Sequence, residues 1–471
     1  MTALHELGAS DLRREFLALR LSPVEALEAA ARRIEQTSGA NACAALALDR
    51  AMGEAREAEQ RYARRDADGA SLLGVPILVK DLIDTAGVRT TYGSRMFAEH
   101  VPSRDAPCVE RVRAQGAVLV GKTHLFEFAW GITSENQHLG ACLNPWDPAR
   151  TAGGSSSGSA VALALRQAPL ALGTDTAGSI RIPAAFCGVS GLKPTFGRVG
   201  TDGVFPLAPS FDHVGPMARS PADLELLMAA LGAPVGDPEG AGTGGRGGRP
   251  VRIGVWHGPA EAPLDPDVGI VLERAAETLA TLGHEVRPQV ALELPRALEA
   301  FVPLQLAEAL DVHRRSGLYP ERRGEYAPAI VERLERAEQV TLERYLAAEA
   351  IRRDVIDRMR RLFDSCELML SAVSPVAPPR RGEEDSARAG DARGLREAVL
   401  AHTVPQSLAG LPTAVVRGGW DRLGLPVGLQ LSGPQGADGL VLSVADAFFR
   451  ATEQIQEPWP SGTTATAPAE P

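Results

Sequence analysis

The sequence lacks any apolar run that could cross a membrane, which takes roughly 18 or more residues. Its opening residues, Met1 to Phe16, also lack the basic flank and apolar core of a secretory signal. Both absences predict a cytoplasmic protein that makes no contact with a membrane.

Cysteine is scarce, and its spacing forms no pattern. The five cysteines are an odd number without a CxxC pair, which argues against a disulfide framework and against a zinc site. Free, buried thiols in a reducing compartment are the simplest expectation. We therefore expect no bound metal and no other cofactor.

Excess positive charge is also missing. The net charge is −10, and no group of Lys or Arg lies apart from compensating acidic residues. This pattern excludes an electrostatic surface for nucleic acid. With 44% hydrophobic and 23% charged residues, the composition is that of an ordinary globular protein. We expect a small-molecule partner, and the composition leaves a homodimer open.

Short strand-like runs alternate with helical patterns along the chain. Leu73–Lys80 and Ala117–Val120 are apolar runs typical of buried strands, and Ser22 with Glu25 forms a capping box at the start of a helix. This alternation predicts an α/β fold with a mixed or mostly parallel sheet. Residues 236–250 have the composition of a flexible connector, and 461–471 that of a disordered tail.

The most unusual stretch is Gly153 to Thr195, which holds two loops rich in glycine and serine, 153–159 and 173–179. Small-residue turns allow backbone N–H groups to crowd a reacting atom. We interpret Ser179, in the second loop, as a nucleophile. A serine needs a base to take its proton, so the rest of the sequence has to supply one.

Two other motifs compete with this interpretation. Residues 116–123, GAVLVGKT, fit the phosphate-loop pattern, but their middle is an apolar strand where that loop has to be flexible. Residues 154–158, GSSSG, fit the nucleophile elbow of α/β-hydrolases, which would make Ser156 the nucleophile and His213 or His402 its base. The residues before GSSSG are typical of a loop, whereas that elbow follows a strand.

A lysine is the third candidate for the base. Lys80 follows the apolar run Val75–Val79, so it is expected at the buried end of a strand. Burial favours the neutral form of a lysine, and only the neutral amine can accept a proton. An ordinary ion pair with Asp81 is the alternative explanation for this position.

Three blocks decide between these alternatives when they are taken together. GVPILVKD at 74–81, GGSSSGSA at 153–160 and GTDTAGSIRIPAAFCGVSGLKPT at 173–195 resemble, in order and spacing, the blocks of the amidase signature family. The resemblance continues through 211–220 to 408–416 and 424–434, and so covers nearly the whole chain.

The resemblance implies one large domain over residues 1–460, with a central mixed, twisted sheet covered by helices on both faces. Within it we expect N-terminal helices at about 4–66, the core at about 71–232, the connector at 236–250 and a helical insertion at about 301–365.

It also implies a catalytic triad. Ser179 would attack an amide carbonyl, Ser155 would relay the proton, and neutral Lys80 would receive it. A cis peptide would join Gly154 to Ser155. The implied oxyanion hole consists of the backbone N–H groups of Thr176, Ala177, Gly178 and Ser179. The implied supporting residues are Ser156, Asp175 and Arg181.

The substrate is less well defined by the resemblance. Ala129, Trp130 and Gly131 resemble the segment that lines the acyl pocket, and Ile182 stands where the glutaminase branch of the family has glutamine. That branch also has an acidic residue near the position of Leu400. We therefore favour an independent amidase that hydrolyses a small carboxamide to a carboxylate and ammonia or an amine. The alternative is the glutaminase subunit of a tRNA-dependent amidotransferase, which delivers ammonia to a partner subunit.

Overall fold

The structure is a computed structural model that describes residues 3–235, 249–294, 296–383 and 394–452. Almost all of the expected connector and the whole of the expected tail lie outside these residues. None of the helices in the described ranges has the length and apolar character to span a membrane.

A single sheet organises the described residues. Its eleven strands are β1 (Cys43–Leu46), β2 (Pro76–Lys80), β3 (Val118–Thr123), β4 (Leu170–Asp175), β5 (Ser190–Lys193), β6 (His213–Ala218), β7 (Arg252–Trp256), β8 (Glu285–Arg287), β9 (Leu368–Ala372), β10 (Thr413–Trp420) and β11 (Pro426–Ser432). They lie in the order β1-β3-β2-β4-β6-β5-β10-β11-β9-β7-β8. β2 is parallel to β3 and β4, and β7 is parallel to β8 and β9, while the other pairs are antiparallel.

Thirteen α-helices connect and cover these strands in the described ranges. They are α1 (Ala9–Leu17), α2 (Pro23–Gln36), α3 (Leu48–Ala63), α4 (Pro107–Ala114), α5 (Ser157–Ala164), α6 (Arg181–Cys187), α7 (Pro221–Ala230), α8 (Pro266–Thr281), α9 (Ala297–Arg315), α10 (Pro328–Glu338), α11 (Leu342–Ser365), α12 (Leu395–Leu408) and α13 (Asp438–Ala451). The predicted capping box is present: Ser22 accepts from the Glu25 N–H, and the Glu25 carboxylate accepts from the Ser22 N–H.

Each face of the sheet packs on its own hydrophobic core. In β2, Ile77 and Val79 belong to the core that also contains α1, α7, α8 and α13. Leu78 belongs to the opposite core, with residues of α2, α5, α6, α9 and α12. Side chains alternate along a strand, so Lys80 shares the face of Leu78. The predicted α/β architecture, with a mixed sheet and helices on both faces, is confirmed.

Candidate active site

Lys80 ends β2 at the junction of the two serine loops. It is fully buried, and three hydroxyl oxygens surround its amine: Nζ lies 2.7 Å from Ser155 Oγ, 2.9 Å from Ser156 Oγ and 2.7 Å from Thr174 Oγ1. A neutral amine has two N–H groups and one lone pair. Donation to Ser156 and Thr174 therefore leaves the lone pair for the Ser155 hydroxyl.

The surroundings favour the neutral amine. Burial lowers the pKa of Lys80 to about 7, and the negative charges of Asp175 and Asp212 oppose a larger decrease. No carboxylate forms an ion pair with Lys80 within the described chain. The alternative of a strand-end pair with Asp81 is wrong, because Asp81 lies next to Lys122 instead, at 3.5 Å.

Ser155 is held between tightly packed backbone segments. It is fully buried, and the peptide bond that joins it to Gly154 is cis. A Cβ on Gly154 would lie 2.1 Å from the carbonyl oxygen of Thr133, so only glycine fits there. Gly153, just before it, has a φ of +74°, in the left-handed region that glycine adopts without strain.

Ser179 is the least buried of the three residues of the predicted triad. It is 6% exposed, lines a cavity, and forms no side-chain hydrogen bond with any residue of the described chain. Its carbonyl hydrogen-bonds to the first loop, where it accepts from the Ser156 N–H at 3.1 Å. The structure thus joins Lys80 to Ser155, but it does not show a hydrogen bond from Ser155 Oγ to Ser179 Oγ.

The loop before Ser179 supplies fewer free donors than expected. Thr176, Ala177 and Ser179 line the cavity. The N–H of Gly178, in contrast, donates to Asp175 Oδ1 at 2.8 Å, so it is already used inside the loop. The expected oxyanion hole stays a prediction: in this arrangement the Gly178 N–H is already engaged, and the N–H groups of Thr176, Ala177 and Ser179 remain as candidates.

Asp175 and Arg181 fix this loop from behind. Arg181 donates to both carboxylate oxygens of Asp175, and it also donates to the Thr403 carbonyl and the Ser407 hydroxyl of α12. Burial alone would raise the pKa of Asp175, but the charge and hydrogen bonds of Arg181 outweigh it and hold that pKa below its usual range. Thr403 Oγ1 also donates to the Ala177 carbonyl at 2.5 Å.

The cavity in front of Ser179 has mostly apolar walls. Its volume is only about 10 Å³, about the space of one water molecule, so a bound substrate has to widen it. The lining residues are Ala129, Trp130, Gly131, Ile132, Thr176, Ala177, Ser179, Leu207, Phe301, Gln305, Arg396 and Leu400. The first three are those expected from the sequence.

The structure does not place Ile182 among the residues that line this cavity, and its role in substrate binding stays a prediction. Ile182 lies in α6, is fully buried and belongs to the hydrophobic core behind the nucleophile loop. Arg181, the first residue of α6, points toward Asp175. The next side chain, that of Ile182, therefore points into the core. Ile182 therefore packs behind the nucleophile loop.

The two competing motifs also have clear positions. Residues 118–123 of the GAVLVGKT motif form β3 and are buried, so they do not form a phosphate loop. His213 contacts Lys193 and the carbonyls of Phe211 and Asp175, and His402 contacts the carbonyl of Ala262. Neither histidine hydrogen-bonds to Ser156 or Ser179, so the histidine-based triad is wrong.

Sequence reasoning missed several residues of the site. Thr174 contacts the Lys80 amine, and its position just before Asp175 in the second loop was the available signal. Phe301 and Gln305 come from α9, far along the chain, and no local pattern marks them. Leu400 was noted only as an apolar residue at a position that is acidic elsewhere.

Comparisons with known proteins agree over almost the whole chain. The amidase family model matches residues 25–442. The A subunit of the glutamyl-tRNA(Gln) amidotransferase of Symbiobacterium thermophilum is 37% identical over 481 residues, which cover 95% of this chain and 97% of that protein. A solved amidase structure has a TM-score of 0.85 at 35% identity and covers 94% of this chain and 99% of its own.

A further solved structure, described as an unexpected vestigial protein complex that reveals the evolutionary origins of an s-triazine catabolic enzyme, has a TM-score of 0.86 at 32% identity. It covers 95% of this chain and 98% of its own.

Proposed function

The chain belongs to the amidase signature family of amide C–N hydrolases, and on that premise we propose that it hydrolyses a small carboxamide through a seryl acyl-enzyme. The observation that carries the proposal is the contact of 2.7 Å between Lys80 Nζ and Ser155 Oγ in a fully buried site. That contact supplies the second link of a proton route from Ser179 through Ser155 to Lys80, whose pKa burial lowers to about 7.

The first half of the reaction forms the acyl-enzyme. Ser179 Oγ bonds to the amide carbon while its proton passes to Ser155 Oγ, and the Ser155 proton passes to Lys80 Nζ. The carbonyl oxygen becomes an oxyanion that accepts from the N–H groups lining the cavity. The C–N bond then breaks, and the amine leaves with the proton returned from Lys80 through Ser155.

The second half hydrolyses the acyl-enzyme. Water takes the place of the amine, and its oxygen bonds to the acyl carbon while its proton passes through Ser155 to Lys80. The bond between the acyl carbon and Ser179 Oγ then breaks, Ser179 Oγ regains the proton by the same route, and the carboxylate leaves. The proposal requires Ser179 Oγ to turn toward Ser155 when an amide binds, a hydrogen bond of the kind that often tightens only in the substrate complex.

Labelling by a phosphonofluoridate tests the nucleophile. We expect the wild-type chain to form one adduct on Ser179 and the Ser179→Ala variant to form none. Ser157→Ala is the matched control, because Ser157 is also a buried serine of the first loop but contacts His124 rather than Lys80. Labelling of Ser179→Ala at the wild-type rate would exclude Ser179 as the nucleophile.

A second candidate function has a specific observation in its favour. The relative from Symbiobacterium thermophilum bears the name of an amidotransferase component, and it matches this chain over nearly its full length. This name supports an ammonia-supplying glutaminase subunit more directly than an independent amidase. The apolar Leu400 in the cavity wall is the feature that favours the independent enzyme.

Ammonia release from glutamine separates the two candidates. A glutaminase subunit is expected to release ammonia from glutamine much faster when its partner subunits are added. An independent amidase is expected to hydrolyse simple carboxamides alone, with no change on addition of those subunits. A screen of aliphatic, aromatic and amino-acid amides then defines the acyl group.

A further inference from the structure

Gln305 is a polar side chain at an otherwise apolar wall of the cavity. It is 7% exposed and lines the cavity that contains Ser179. Its amide forms no hydrogen bond with any residue in the described ranges. The amide atoms are not sealed from the cavity, so their acceptor and donor groups are open to a ligand there.

The position of Gln305 in α9 shows which wall of the cavity it helps to form. Phe301 lies one helical turn before Gln305 and lines the same cavity, so this face of α9 forms one wall of it. Phe301 offers an apolar surface, and Gln305 offers an N–H donor and a carbonyl acceptor. The wall therefore fits a molecule that is apolar along part of its length and polar at one point.

A positive charge lies at the same cavity. Arg396 and Leu400, one turn apart in α12, both line it. Arg396 is the one charged side chain among the cavity-lining residues of the described chain. A guanidinium and a carboxamide that line one cavity suit a carboxylate, which can accept hydrogen bonds from both.

We infer that the substrate is the monoamide of a short dicarboxylic acid, with its free carboxylate held by Gln305 and Arg396 and its amide carbonyl at Ser179. This inference rests on the amide hydrolysis proposed above and names its substrate class. Leu400, one turn from Arg396 in α12, has no atom that could accept a hydrogen bond from an α-ammonium group. Glutaramate is therefore the better substrate and glutamine, which adds that ammonium, the poorer one.

Matched amides test the substrate class on the wild-type chain. The series runs from malonamate to adipamate, and each acid is paired with the branched alkyl amide in which an isopropyl group replaces the carboxylate. We expect at least one acid to exceed its neutral partner by tenfold or more in kcat/KM, and glutaramate to exceed glutamine. Neutral amides that equal or exceed every acid, or glutamine that equals glutaramate, would overturn the inference.

Variants locate the selectivity within the cavity. Gln305→Glu and Arg396→Leu are each expected to lower the ratio of kcat/KM for the preferred acid to that for its neutral partner by about tenfold. Gln305→Glu retains the size of the side chain, so a change in that ratio reports recognition rather than packing. Arg315→Leu is the control on α9, because Arg315 is 80% exposed and pairs with Asp311.

An unchanged ratio in both cavity variants would also overturn the inference. A failure of this inference differs from a failure of the proposed function. If neutral amides are hydrolysed in a Ser179-dependent reaction without any preference for the acids, only the substrate class is wrong. If no amide is hydrolysed and Ser179 is not labelled, the hydrolase proposal itself is wrong.

Discussion

Two fully buried lysines lie at the carboxyl ends of neighbouring parallel strands, Lys80 as the last residue of β2 and Lys122 as the last but one of β3. Lys80, on β2, is surrounded by the hydroxyls of Ser155, Ser156 and Thr174. Lys122, on β3, lies 3.5 Å from the carboxylate of Asp81 and donates to the Ile83 carbonyl and the Thr90 hydroxyl.

The difference shows how one strand-end position serves either chemistry or structure. Burial lowers the pKa of both amines, but the adjacent Asp81 opposes the effect at Lys122. Hydroxyl neighbours can pass protons, whereas an adjacent carboxylate stabilises a fixed cation. We therefore assign proton transfer to Lys80 and a structural ion pair to Lys122, and four experiments test this assignment.

Replacement of Lys80 is expected to have the largest effect. Lys80→Met retains the buried stem but removes the amine, so kcat should fall by about 10²- to 10⁴-fold. Amide turnover measures the loss, and circular dichroism checks that the variant is folded. Turnover close to that of the wild type would exclude Lys80 as the base.

Replacement of Lys122 should act on stability instead. Lys122→Met leaves the Asp81 carboxylate buried without its cation, which should lower the free energy of unfolding by about 3–5 kcal/mol. Urea denaturation measures the change, and turnover per labelled Ser179 should stay within a few-fold of the wild type. Lys122→Met with Asp81→Leu should recover part of the stability, and a stable but inactive Lys122→Met would contradict the assignment.

The pH dependence of kcat/KM should follow Lys80. The base works only when neutral, and its pKa of about 7 lies far below that of a free lysine. Activity should rise with pH through that value and level off above it, and below it the rate should drop about tenfold per pH unit. Lys122→Met should give the same midpoint. If kcat/KM does not fall as the pH drops below about 7, Lys80 is not the group whose titration controls activity.

The smallest effect is expected at Thr174. Thr174→Val removes one of three oxygens that accept from the protonated amine of Lys80, so the charged form loses more than the neutral one. The midpoint of the pH profile should fall by up to about one unit, with little change in rate at alkaline pH. Thr90→Val, the equivalent change beside Lys122, should leave the midpoint in place.

The sequence was sufficient for features that depend on local pattern. The run before Lys80 predicted β2, and Ser22 and Glu25 predicted the start of α2. The resemblance of the sequence blocks to the amidase signature family implied that Ser155 lies beside Lys80. Each of these rests on residues close in sequence or on blocks with a recognisable order.

Features that depend on tertiary packing were not predictable. β6 contains Gly215 and Pro216, and it is a central strand only because β4 and β5 pair with it. The Gly178 N–H is used by Asp175 because Arg181 fixes that carboxylate, an arrangement of side chains that no spacing reveals. Gln305 reaches the cavity because α9 packs across it.

The two ends of helix α12 have different roles. Thr403 and Ser407, toward its end, hold the backbone and the arginine of the nucleophile loop. Arg396 and Leu400, in its first turns, face the substrate cavity. Mutations in those first turns can therefore retune the acyl group that is accepted while the reacting serine keeps its place. The helix gives an evolving or engineered enzyme a way to change its substrate without rebuilding its chemistry.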